Sequence, residues 1–272
     1  MIVAGAAVQG TGHLAAGQGC QDAFKAADLG DTVVLAVADG AGGRERSALG
    51  AHIAVDTACR VLAEDTPGPS EPPETWTRWI AAAGTRLVAE HLRCVQGVLA
   101  AAAPDRPVDT GALAATVAAV AVRPPWAAFV SVGDCFGTVL TREPAATGAA
   151  ADRAERCHLV LPPPAPGGPG PVFLSSPGAA LRTRTFAVWE PDLSGVVLAT
   201  DGCAALTLDH PRVHRLPPEA GPLPSDRFFG GLAATLRANG GDAEPLRALL
   251  SGPEAARTGD DLTVLCALVD GG

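Results

Sequence analysis

The stretch "VVLAVADGAGG", residues 33–43, is an apolar run that ends on a carboxylate, Asp39, and then places glycine at three of the next four positions. Uninterrupted apolar, β-branched sequence bounded by turn residues predicts a buried strand over 32–38, and the glycines let the chain leave the sheet sharply. Outward from it, "SALGAHIAVDTACRVLAE", from Ser47 to about Glu64, has apolar residues at helical spacing and no proline, which predicts a helix. "TPGPSEPPE" (66–74) is a linker, and a second long helix is expected from Thr75 to about Ala101, the two helices forming one layer.

Further along, "ALAATVAAVAVRPPWAAFVSVGDCFGTVLTRE" (112–143) holds three strand-like runs broken at Pro124-Pro125 and Gly133-Asp134, which predicts an antiparallel meander. "PPPAPGGPGP" (162–171) is a stiff loop expected on the surface as part of a flap around 143–183. Strands are expected at 184–190 and 195–202, helices at 226–238 and 244–251, and a closing strand at 261–269. Early helices, central strands, late helices and a final strand describe a layered α+β domain rather than alternating βαβ units.

The chain of 272 residues, 47% hydrophobic and 18% charged, is expected to fold as one domain over 1–272. Its net charge of −9 argues against a nucleic-acid or anionic-membrane partner and suits a cation site. The N-terminus lacks the basic region of a signal peptide, and the best apolar run, 113–122, is strand-length rather than membrane-length. Seven scattered cysteines without a C-x-x-C pair indicate neither disulfides nor zinc, so a reduced cytoplasmic protein is expected.

Apolar runs deliver a carboxylate at one end four times: Asp39, Asp134, Asp201, and Asp260 with Asp261. One Asp-Gly is ordinary turn chemistry, but four such ends suggest carboxylates gathered at one sheet edge. Like charges so placed raise one another's proton affinity unless a cation lies between them. Oxygen donors without a His or Cys set point to Mg²⁺ or Mn²⁺.

In order, "CQDAF" (20–24), "VADGAGG" (37–43) followed by "SALGA", "VSVGDC" (130–135), "LATDG" (198–202) and "TGDDLTVL" (258–265) resemble the motifs of the metal-dependent serine/threonine protein phosphatases of the protein phosphatase 2C family (PP2C, PPM), in its short bacterial branch. The resemblance spans residues 13–269. It implies a four-layer αββα sandwich of two antiparallel sheets flanked by helices, with a two-metal site at one end holding Mn²⁺ or Mg²⁺ and room for a third ion. Asp39 would bridge two metals, the Gly40 carbonyl would bind one of them, and Asp201 and Asp260 would complete the other's shell. Asp22 would support the site through water, and Asp134 with Asp201 would hold the third ion. The implied reaction is removal of phosphate from phosphoserine or phosphothreonine by in-line attack of a metal-activated water, without a phospho-enzyme. The implied partners are phosphorylated proteins, a bacterial Ser/Thr kinase or its targets, met by a monomer.

The chain departs from the pattern at three places. Ala41 stands where eukaryotic members carry a candidate general acid, Gly17 stands near the place of a phosphate-gripping arginine, and Gln21 replaces a common glutamate. His13 could contact phosphate or donate a proton in their place, or be a surface or turn histidine. Arg44 and Arg46 could meet a phosphate or be solvated; His52 and Asp56, spaced i, i+4, could be metal ligands but read better as a helix-surface pair; the four tryptophans pack the core or flap; the cysteines are small buried residues. These departures leave two other readings open: a pseudophosphatase that binds phosphoproteins without turnover, and a phosphatase of a small phosphorylated metabolite.

Overall fold

A computed structural model describes residues 1–44, 46–105, 107–142, 155–164 and 170–269. The chain opens with β1 (Ile2–Val8), a short α1 (Thr11–Ala15), β2 (Asp22–Asp28) and β3 (Val33–Asp39), then α2 (Ser47–Ala63) and α3 (Pro73–Ala102). Next come β4 (Val117–Arg123), β5 (Trp126–Val132), β6 (Phe136–Arg142), β7 (Glu155–Leu161), β8 (Arg184–Trp189) and β9 (Leu193–Ala199). A one-turn α4 (Ala204–Thr207), the two-residue strands β10 (Leu208–Asp209) and β11 (Leu223–Pro224), α5 (Asp226–Ala238), α6 (Glu244–Leu250) and β12 (Leu262–Leu268) complete it.

The strands form two five-stranded antiparallel sheets, ordered β2-β3-β4-β5-β8 and β1-β12-β9-β6-β7. The expected αββα sandwich is the observed one. The pleat of β3 and β4 shows why their sequence lacks polar alternation. Val33, Leu35 and Val37, with Val120 and Val122, fill the space between the sheets. Val34, Ala36 and Ala38, with Ala119 and Ala121, face α2 and α3 on the other side. Small side chains face the helices and larger ones the opposite sheet, so both faces are buried and neither can be polar. A third core, with Phe229, Leu236, Leu246 and Leu250, seals α5 and α6 against the second sheet.

The expected meander is corrected in one respect. β4 and β5 pair, but β6 crosses to the other sheet, between β9 and β7. The crossing turns on Gly133, whose φ of +105° suits glycine and whose Cβ would lie 2.5 Å from the Thr116 side chain. Changing sheets here leaves Asp134 at the end of the sandwich instead of in a hairpin tip.

The sequence reading omits β1, β2 and β7. β1 pairs with β12 along its whole length, so the first element is a strand closing the fold beside the last. Of the flap expected around 143–183, residues 143–154 and 165–169 lie outside the described residues, and 155–161 belong to β7 at a sheet edge. The linker before α3 is held by indole N–H groups: Trp76 donates to Gly68 O at 3.2 Å, Trp126 to Pro69 O at 3.1 Å. Trp76 and Trp126 stack in the core, whereas Trp189 is exposed. Asp56 pairs with Lys25 and Arg60 rather than with His52. Among the described residues no helix is long and apolar enough to cross a membrane.

Candidate metal centre

Antiparallel pairing brings five strand ends to one end of the sandwich. Asp22 opens β2 directly opposite Asp39, which closes β3. Asp201 follows the end of β9, and Asp260 precedes β12, which runs antiparallel to β9. Asp134 arrives from the β5–β6 crossing. Carboxylate oxygens of Asp39, Asp134 and Asp201 lie within 4.8 Å of one another. The described residues thus bring together three of the predicted ligands from segments far apart in sequence.

The electrostatics are those of anions crowded in a poorly solvated site. Burial, then the charges of Asp22, Asp201, Asp260 and Asp134, push the Asp39 carboxyl up to about 10. Burial lifts Asp22 to about 7, against the hydroxyl donor Thr200. Asp201 rises to about 6 through burial and the charges of Asp134 and Asp260. Asp134 is raised chiefly by burial, and its Oδ1 is buried with no hydrogen-bond partner. An unpartnered carboxylate oxygen amid other carboxylates asks for a cation, and the all-oxygen donor set fits Mg²⁺ or Mn²⁺.

Around this group the chain is tied down closely. Thr200 donates its hydroxyl to Asp22 Oδ2 at 2.7 Å and accepts the Thr263 N–H at 3.1 Å. Gly40 donates its N–H to Gln21 O at 3.1 Å, and a Cβ there would lie 2.6 Å from the Ser47 backbone, so only glycine allows this approach. Asp260 is exposed at the rim; it acts on Asp39, Asp134 and Asp201 through its charge and stands outside the 4.8 Å group. Its neighbour Asp261 is buried and accepts the N–H groups of Gly10 and Gln21, each at 2.6 Å. His13 places Nδ1 2.9 Å from the same carboxylate. Asp261 therefore clasps the turns that follow β1 and precede β2.

At the positions that depart from the family pattern, Ala41 is buried, with its N–H on Ala114 O at 2.9 Å, and Gly17 is an exposed turn at φ +69°. Sequence reasoning missed Arg184, which opens β8 and donates to Gly133 O at 3.1 Å and Ser131 Oγ at 3.2 Å, beside Asp134. It named Asp261 beside Asp260 without giving it a role of its own, and it passed over Thr200. The doubled acid of "GDD" and the threonine of "ATDG" were the available signals; Arg184 carries none, because it reaches the site only through the β5–β8 pairing.

Comparison with known proteins agrees with this fold. The family model described as protein phosphatase 2C matches residues 9–251. No curated protein matches the chain. Among solved structures, a bacterial serine phosphatase is similar at 11% identity and a TM-score of 0.58, over 100% of this chain and 99% of that one. The serine/threonine phosphatase Stp1 from Staphylococcus aureus is similar at 12% identity and 0.55, over 100% and 96%. Serine-threonine phosphatase 2C from Toxoplasma gondii follows at 13% identity and 0.51, over 98% and 94%. These likenesses establish a shared fold, and with the family match over most of its length the chain belongs to the protein phosphatase 2C family.

Proposed function

We propose that the chain is a Mg²⁺- or Mn²⁺-dependent phosphatase that removes phosphate from phosphoserine and phosphothreonine of proteins, acting as a cytoplasmic monomer against a Ser/Thr kinase. The observation that carries it is the group Asp39, Asp134 and Asp201, whose carboxylate oxygens converge within 4.8 Å. When bound, the ions would supply Lewis acidity: a water nucleophile at neutral pH, and positive charge to offset the negative charge developing on the phosphoryl oxygens. Asp39 and the Gly40 carbonyl would hold one ion, Asp39 with Asp201 and Asp260 a second, and Asp134 with Asp201 a third. Asp22, fixed by Thr200, orients the water shell at the opening of β2. Asp261 holds His13, the candidate to protonate the leaving oxygen, since Ala41 has no proton to give.

The test is hydrolysis of an aryl phosphate and a phosphothreonine peptide with Mn²⁺, with Mg²⁺ and with chelator, in wild type, Asp39→Asn and Asp201→Asn. Metal-dependent turnover abolished in both variants supports the reading. Folded protein that binds no divalent cation by calorimetry would sink it, and cation binding without turnover on either substrate would assign a binding role instead.

A further inference from the structure

The crossing from β5 to β6 delivers Asp134 to the candidate metal centre, and side chains rather than backbone hold it in place. Residues 133–135 lie outside both strand ladders and make no backbone–backbone hydrogen bond with the described residues. Apart from the Cys135 thiol, 3.3 Å from Thr116 Oγ1, the hold on them comes from Arg184, which opens β8 opposite Ser131. Its Nη2 donates to Gly133 O at 3.1 Å and to Ser131 Oγ at 3.2 Å, and its Nη1 donates to Pro162 O at 2.8 Å, one residue past the end of β7. A single guanidinium thus joins the first sheet, the crossing and the outermost strand of the second sheet.

The Gly133 carbonyl belongs to the peptide unit that leads into Asp134. That unit is planar, so holding its oxygen fixes the plane from which the Asp134 side chain springs. Gly133, at φ +105°, has no side chain to restrict that plane itself. Asp134 is the ligand candidate that needs such help. Asp39 stands in a ladder opposite Asp22, and Asp22 is pinned by the Thr200 hydroxyl at 2.7 Å. Asp134 has no such partner: its Oδ1 is buried without a hydrogen bond, and its charge and those of Asp39 and Asp201 oppose one another within 4.8 Å. The chemistry of Arg184 points the same way. It is partly buried, yet among the described residues it meets neutral oxygens and no carboxylate in ion-pair contact; the carboxylate whose charge reaches it is Asp134. Burying a cation costs free energy that neutral acceptors offset poorly, whereas a planar fork of donors suits acceptors from three separate segments.

We propose that Arg184 is a positioning residue for Asp134, setting through its hydrogen bond to Gly133 O the direction in which that carboxylate meets a divalent cation. The inference rests on the metal-dependent reading, and the experiment separates the two. Mn²⁺ is titrated by calorimetry into metal-free wild type, Arg184→Ala, Arg184→Lys, Asp134→Asn and the double variant Arg184→Ala with Asp134→Asn, circular dichroism confirming that each is folded. Arg184→Ala is expected to weaken, by roughly ten- to hundredfold, the Mn²⁺ binding that Asp134→Asn removes, and to leave the remaining binding unchanged. In the Asp134→Asn background the same substitution should change nothing further, since an effect carried by Asp134 vanishes with it. Arg184→Lys keeps the charge without the fork and should recover only a small part; it is the variant to read if the alanine protein does not fold. Wild-type Mn²⁺ affinity in Arg184→Ala overturns the proposal, and so does an equal loss with and without Asp134, which would mark a general loosening of the fold. Full recovery by Arg184→Lys also overturns it, by reducing the role to charge. A raised KM for an aryl phosphate with Mn²⁺ binding intact would overturn it too, placing the guanidinium on the phosphate. A wild type that binds no Mn²⁺ would strike the metal-dependent reading, and the Arg184 assignment with it.

Discussion

Asp39 concentrates the conflict of the site in one side chain. It closes a strand buried on both faces, it lies opposite Asp22, and two further carboxylates stand within 4.8 Å. Without a cation, its charge is opposed by burial and by every neighbour, which is why its proton is held up to about pH 10. Asp39→Asn removes that charge and keeps the shape. The metal-free variant is therefore expected to melt several degrees above metal-free wild type at pH 8. Added Mn²⁺ should raise the melting temperature of wild type and leave the variant nearly unmoved, as scanning calorimetry would show; a variant less stable than wild type without metal would contradict the repulsion described here. Asp39, Asp134 and Asp201 were legible as ligand candidates in the sequence, since each sits beside glycine at the end of an apolar run, whereas Asp22 was named only through the family resemblance. That Asp261 beside Asp260 is buried and clasps two turns was not legible, because the N–H groups it meets, those of Gly10 and Gln21, come from the other end of the chain and only the fold brings them to it.

At the scale of elements, local preference and packing can be set against each other in the two helices over the first sheet. Gly97, exposed in α3, has nothing within 4 Å of a Cβ, so Gly97→Ala should follow helix propensity and stabilise by roughly 0.5–1 kcal/mol. Gly50 in α2 faces Leu113, whose carbonyl oxygen would lie 2.2 Å from a Cβ. Gly50→Ala should therefore reverse the sign and destabilise by about 2 kcal/mol or more, because backbone cannot give way cheaply. Urea midpoints of the two variants check both directions. α3 also carries His91, fully buried with neither ring nitrogen partnered, which burial holds down to about 4. A folded pKa below the unfolded value of about 6.5 means the unfolded chain takes up the proton first, so this stability is complete above pH 6.5 and is lost as pH falls toward 4. Between pH 7 and 5 the loss through His91 is about 2 kcal/mol. His91→Leu should be more stable than wild type at pH 5 by a margin that shrinks at pH 7; denaturant melts showing the same difference at both values would rule this out.

Across the whole molecule, the candidate metal centre lies where the two sheets meet: Asp22 and Asp39 come from one sheet, Asp201 and Asp260 adjoin strands of the other, and Asp134 lies in the crossing between them. A bound cation would therefore hold together what carboxylate repulsion pushes apart, and its binding would be coupled to folding. Asp22, Asp39 and Asp201 have folded pKa values raised to about 7, 10 and 6 from an ordinary 3.8. The metal-free fold thus holds protons that the unfolded chain gives up. Its stability from these groups is complete below about pH 4 and is lost as pH rises through those values. A cation must displace the same protons, so its stabilising effect grows with pH. At one fixed concentration, a hundredfold above the Kd at pH 8, Mn²⁺ should raise the melting temperature by roughly 5–10 °C at pH 8 and by less at pH 6, with chelator reversing it. Melting curves with an equal shift at both values would show that the cation binds elsewhere.

The sequence by itself determined the elements whose burial is complete on both faces or periodic over many turns: β3, β4, β5, β9, β12, and the helices α2, α3, α5 and α6. There the identity of each residue reports its surroundings, since a polar side chain in those positions would lack a partner. It also determined which carboxylates end strands, because apolar runs followed by Asp and Gly are written locally. The tertiary structure alone decided which strands are neighbours. It sent β6 into the second sheet at Gly133, paired β1 with β12 across the length of the chain, and brought Arg184 to the loop of Asp134. Strand pairing is a contest among backbones that all offer the same hydrogen-bonding groups, so it is settled by how the three cores fill space rather than by any one stretch of sequence.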